Sequence, residues 1–126
     1  MEKEVIPVPG EAPAKHSSRI VRFGELVFIA GTTGRNFVTK ELPSDMGSQA
    51  RQALENIKVC LEAAGSSLDN VLKMTCYLAD LSEKKAFDEV YISYFPVNPP
   101  ARACFAVAGL GPGLRIEIET IAGVLR

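Results

Sequence analysis

Arg102 stands in Pro99-Pro100-Ala101-Arg102-Ala103-Cys104-Phe105-Ala106-Val107-Ala108, a run of small and apolar residues that reads as a β-strand. A guanidinium among such neighbours is costly unless it meets an anion. Its planar, five-donor fork fits a carboxylate bidentately, so Arg102 is a candidate for gripping the acid group of a small substrate. The alternative is an ion pair with one of the chain's own carboxylates, Glu117 or Glu119, which is the commoner use of such an arginine. Alternation places Cys104 on the same strand face as Arg102.

Glu117 and Glu119 project from one face of Arg115-Ile116-Glu117-Ile118-Glu119-Thr120-Ile121-Ala122. A hairpin through Gly109-Leu110-Gly111-Pro112-Gly113 would bring one of them near Arg102. A carboxylate beside an arginine stays ionised, which suits positioning or activating a water. A solvated edge strand of alternating charge would give the same pattern with no chemistry at all.

Other chemistries find little support. Cys104 has no base in view, since the only histidine, His16, lies near the other end of the chain. A thiol with neither base nor cationic pocket is a small core residue. Three scattered cysteines without CxxC or HxxxH spacing suggest neither a disulfide framework nor a zinc site. The glycine-rich segment 109–113 holds a proline and precedes no helix, so it reads as a turn rather than a phosphate loop. No metal and no cofactor are expected. A net charge of -1 offers no basic excess for nucleic acid. The longest apolar stretch, residues 26–30, is far too short to span a bilayer, and no export signal is evident. A cytoplasmic protein without membrane contact is the expectation.

The elements that must position these residues follow from periodicity. The 126 residues suffice for one domain. Residues 1–18, rich in Pro, Gly and Ser, read as an extended surface segment. Residues 20–23 and 26–30 form a hairpin about Gly24-Glu25, and residues 35–39 are a candidate short strand. Pro43-Ser44-Asp45 starts a helix whose Met46, Ala50, Ala53, Leu54, Ile57, Leu61 and Ala64 make one apolar stripe, ended by Gly65. A strand at 71–79 places Leu72, Met74, Cys76 and Leu78 on one side and Val71, Lys73, Thr75, Tyr77 and Ala79 on the other. Asp80 and Ser82 cap a second helix, stopped by Pro96. Strands at 101–108 and 114–124 finish the chain.

The order is ββ(β)αβαββ, an α+β domain in which two helices cover one face of a mixed five- or six-stranded sheet. Apolar residues on both sides of the later strands leave the second face in need of a cover. A second copy of the chain is the economical one.

Pro100-Ala101-Arg102-Ala103-Cys104 followed by Ile116-Glu117-Ile118-Glu119-Thr120-Ile121-Ala122 resembles the C-terminal signature of the RidA (YjgF/YER/UK) family, also called the endoribonuclease L-PSP family. Val21-Arg22-Phe23-Gly24-Glu25-Leu26-Val27-Phe28-Ile29-Ala30-Gly31 resembles its first hairpin. Gln49-Ala50-Arg51-Gln52-Ala53-Leu54-Glu55-Asn56-Ile57 resembles its first helix. The resemblance runs from about residue 18 to the C-terminus.

This resemblance implies a chorismate-mutase-like fold of the bacillary type and a homotrimer whose sheets form a central barrel, with ligand clefts between neighbouring subunits. It implies hydrolytic deamination of reactive 2-imino and enamine acids from amino-acid metabolism to 2-keto acids and ammonia. Arg102 would grip the substrate carboxylate, Glu117 would orient the water, and Gly31 and Cys104 would line the pocket. Ala30, Ser17 and Asp88 fall at further pocket positions. There, archetypal members carry serine, an aromatic residue and, near Asp88, asparagine. A 2-aminomuconate-type deaminase is the alternative within the family. A non-catalytic trimer that binds small carboxylates, or acts as a holdase-like stress protein, is the alternative outside enzymology. The ribonuclease label some members carry finds no basic-aromatic stripe here.

Overall fold

Pro43-Ser44-Asp45 does start a helix. In a computed structural model, which describes residues 2–12 and 15–125, α1 spans Met46–Ala63. The Asp45 carboxylate caps it by accepting from the Ser48 amide at 2.9 Å. Of the segment 1–18, Met1, Pro13 and Ala14 lie outside the described residues, as does Arg126. Gly65 follows the helix at φ +78°, the left-handed backbone that ends it. The expected apolar stripe is buried, and two polar residues join it, Gln49 and Asn56.

Both buried amides bind backbone rather than solvent. Gln49 donates to the Pro43 and Gly113 carbonyls and accepts from the Arg115 amide. Asn56 donates to the Thr33 and Arg35 carbonyls. The helix thus pins the end of one strand and the turn before another.

Six strands form one sheet in the order β1-β2-β3-β6-β4-β5. They are β1 (Lys3–Ile6), β2 (Ile20–Phe23), β3 (Leu26–Thr33), β4 (Val71–Leu78), β5 (Ala101–Ala106) and β6 (Ile116–Gly123). All neighbours are antiparallel except β4 and β5, which are joined by a crossover through α2 (Lys84–Tyr94), as parallel neighbours require. Both helices lie on one face. There Ile20, Val27, Ile29, Met74, Cys76, Leu78, Ile116 and Ile118 are buried beneath α1 and the Phe87 and Tyr91 side of α2. No described helix is long and apolar enough to cross a membrane.

The other face is open and apolar. Phe23, Phe28 and Phe105 are 47%, 41% and 46% exposed on it, large apolar rings of the kind that mark an interaction surface when they share a face. This is the uncovered face that the residue pattern anticipates.

Four local expectations need correction. Part of the N-terminal segment is a strand: β1 adds to the hairpin edge by pairing Val5 with Val21 and Ile6 with Ile20. Residues 35–39 are a turn, because the Asn36 side-chain carbonyl accepts from the Val38 and Thr39 amides and takes the place of a ladder partner. In β4 a register shift between Val71 and Lys73 turns Val71 into the core and leaves Leu72 51% exposed. Finally, β5 and β6 form no hairpin. Because β5 pairs with β4 after the crossover, β6 inserts between β3 and β4.

Candidate functional site

Arg102 and Cys104 register with Met74 and Cys76 and so lie on the helix side of the sheet, beside α2. The Arg102 guanidinium stacks 4.7 Å from the Tyr91 ring centroid and 5.9 Å from that of Phe87. Its Nη1 donates to Asp88 Oδ1 at 2.7 Å. The internal partner is therefore Asp88, not Glu117 or Glu119, and this residue expected to bind substrate is engaged by the arginine itself. Lys84 Nζ donates to the other Asp88 oxygen at 2.7 Å, so two cations share one carboxylate and a positive charge is left over.

Among the described residues, no protein group accepts from Arg102 Nε or Nη2. Arg102 also lines a cavity of about 290 Å³, with Asp88, Tyr91, Phe95, Pro99 and Pro100. Burial opposes the charge on Arg102, but the hydrogen bond and attraction of Asp88 outweigh it and raise the pKa. Burial likewise pushes the Asp88 carboxyl up, and the Lys84 and Arg102 hydrogen bonds overcome this and hold it below the usual value. Burial pushes the Tyr91 phenol up to about 12, so it remains a neutral donor. Cys104 lies next along the same face, and burial, partly offset by Arg102, pushes its thiol up, which is unsuited to a nucleophile.

Glu117 is elsewhere. It registers with Thr33 on β3 and Tyr77 on β4 and projects to the open face. With β4 lying between β5 and β6 and the two side chains on opposite faces, one chain does not bring Arg102 and Glu117 together. Glu119, the other acidic candidate, accepts from the Tyr77 hydroxyl.

Glu117 is tied instead to Gly31, at the irregularity of β3 between Ile29 and Thr32. A Cβ on Gly31 would sit 2.1 Å from Glu117 Oε2, so the carboxylate occupies the space a side chain would take. Ala30 and Ser17 join them around a second cavity of about 570 Å³.

Residue patterns missed the arginine that braces this second cavity. Arg19 Nη1 donates to the Gly31 carbonyl at 2.8 Å and to Thr32 Oγ1 at 3.2 Å. Its Nε and Nη2 grip the two oxygens of Glu11 at 2.8 and 3.2 Å, and its guanidinium lies 5.3 Å from the Phe37 ring centroid. Position gave the one available hint, a charged residue directly before an apolar strand. Nothing in the spacing tied it to Glu11.

The seven expected pocket positions thus divide. Ser17, Ala30, Gly31 and Glu117 converge on the cavity braced by Arg19. Arg102 and Asp88 converge on the cavity beside α2, with Cys104 adjacent.

Known proteins carry the same architecture. The endoribonuclease L-PSP family matches residues 9–124. A RutC family protein of Pyrococcus horikoshii is 39% identical over 97% of this chain and 98% of its own. The human 2-iminobutanoate/2-iminopropanoate deaminase is 40% identical over 83% of this chain and 77% of its own. The crystal structure of Escherichia coli TdcF with bound serine superposes with a TM-score of 0.90 at 33% identity, covering 97% of this chain and 99% of that one. On the fold, the motifs and these matches, the chain belongs to the endoribonuclease L-PSP family, that of the YjgF/RidA proteins.

Proposed function

We propose that the chain hydrolyses 2-imino and enamine acids to 2-keto acids and ammonia, in a cleft that two copies complete. One observation carries this reading. On opposite faces of the sheet lie an arginine with donors that no described residue engages, beside one cavity, and a carboxylate lodged beside a glycine, at another, as two complementary half-sites would. Unlike patches on opposite faces of one sheet meet most simply in a head-to-tail contact between copies, which forms a ring where the rotation closes. The exposed apolar sheet face supplies the remaining contact surface, and a homotrimer fits both demands.

The chemistry asks little of the protein. An imine carbon is already electrophilic, so holding substrate and water in one geometry supplies much of the rate gain. Arg102 of one copy takes the substrate carboxylate on Nε and Nη2. Glu117 of the next accepts a hydrogen bond from water and directs its oxygen at the imine carbon. The new C–O bond forms as the C=N π electrons move to nitrogen, which takes up the protons the water loses. The C–N bond then breaks, leaving a ketone and ammonia. Relatives named as imine deaminases support the same reaction.

The test generates imines in place with an amino-acid oxidase and follows their interception by semicarbazide. Added protein is expected to suppress semicarbazone formation by converting the imine first. Unchanged trapping across several side chains removes the deaminase reading.

A further inference from the structure

We infer that the cavity beside Glu117 receives the substrate side chain, and that the chain prefers 2-imino acids with large apolar side chains, of leucine size or above, to those of alanine size. This rests on the deaminase reading and deepens it.

The cavity is large because its floor is small. Ser17, Ala30 and Gly31 bring no side chain longer than a hydroxymethyl group to the Glu117 carboxylate. At about 570 Å³ it falls within the range of pockets for drug-sized ligands, roughly 300–1,000 Å³. The imino acid derived from alanine would leave most of it to water.

The opposite wall is apolar and built by the N-terminal segment. Pairing of β1 with β2 brings Val5 and Ile6, and with them Pro7 and Val8, to the cavity rim. The two-point grip of Arg19 on Glu11 holds the segment there. That pairing also matters for selectivity. Arg19 and Glu11 satisfy one another, so of the charged groups lining the cavity only Glu117 is left without an ion-pair partner among the described residues. A water directed by Glu117 therefore meets the imine carbon at the mouth of an apolar chamber, and the side chain on that carbon has the chamber to enter.

Each methylene buried is worth about a fourfold gain in binding, so a leucine-sized side chain should exceed a methyl group by about tenfold or more in kcat/KM. The experiment compares the imines an amino-acid oxidase makes from leucine and from alanine, with the intact protein and with Val5→Asp. Val5 is 59% exposed on an edge strand, so the substitution spares the core. The expected result is a leucine-to-alanine ratio in kcat/KM of about ten or more, collapsing in Val5→Asp. Hydrolysis of both imines at equal rates, or faster hydrolysis of the alanine imine, overturns this inference and leaves the deaminase reading standing. A high ratio that Val5→Asp does not change also overturns it, because the preference would then arise elsewhere. Hydrolysis of neither imine overturns the deaminase reading and this inference together.

Discussion

Replacing Gly31 by alanine separates the site from the scaffold. The added Cβ would lie 2.1 Å from Glu117 Oε2, whereas ordinary contact begins near 3.4 Å, so the carboxylate oxygen must retreat by about 1.3 Å. What obstructs the methyl is the end of a flexible side chain, not backbone, and Gly31 is not in the left-handed region. The fold should therefore accept the change. The loss of unfolded-state freedom even favours it by about 0.4–1 kcal/mol. Activity should not survive so well, because a misplacement of about 1 Å at a positioned group costs on the order of a hundredfold. The assay pairs thermal denaturation with imine hydrolysis by Gly31→Ala. An unchanged or slightly raised melting temperature with about a hundredfold loss in kcat/KM is expected. Wild-type activity in the folded variant would refute the placement of Glu117, and unfolding would refute the claim that its side chain can yield.

Gly34→Ala should behave in the opposite way. Its Cβ would meet the Gln49 backbone at 2.6 and 2.7 Å, which cannot yield without moving α1, so a loss of about 1–3 kcal/mol in denaturant unfolding is expected. Arg102→Ala removes charge-assisted hydrogen bonds worth about 1.5–3 kcal/mol each, so kcat/KM should fall at least about a hundredfold. Asp88 keeps Lys84 as a partner, so the melting temperature should barely move. The depressed Asp88 pKa also predicts a pH dependence. Its stabilising contribution is present in full above the ordinary carboxylate value of 3.8 and is lost as pH falls through the lower folded value. The stability gap between wild type and Asp88→Asn should accordingly close below about pH 4 in acid titrations.

Much of the scaffold was legible because periodicity records burial. The α1 stripe, its Asp45 cap and its Gly65 stop follow from local chemistry that the tertiary structure does not override. The apolar excess on both sides of the later strands foretold the exposed Phe105. Strand order was less accessible. Alternation says which face Glu117 takes within β6 but not which strands flank it, and pairing by proximity in sequence made a hairpin of two strands that β4 separates. The same limit hid Asp88 as the partner of Arg102. One lies on a helix and the other on a strand, and only the β4–α2–β5 crossover brings them within 2.7 Å. The β4 irregularity that buries Val71, and the Arg19 grip on Gly31, depend on contacts no spacing rule encodes.

The central claim, that unlike half-sites meet between copies, is tested most directly by mixing two crippled variants. Arg102→Ala and Glu117→Gln should each be inactive alone. Co-expressed in equal amounts and assembled at random into rings, about a quarter of the clefts would unite an intact Arg102 with an intact Glu117. The mixture should recover about that fraction of wild-type imine hydrolysis. A mixed assembly as inactive as its parents would contradict the account.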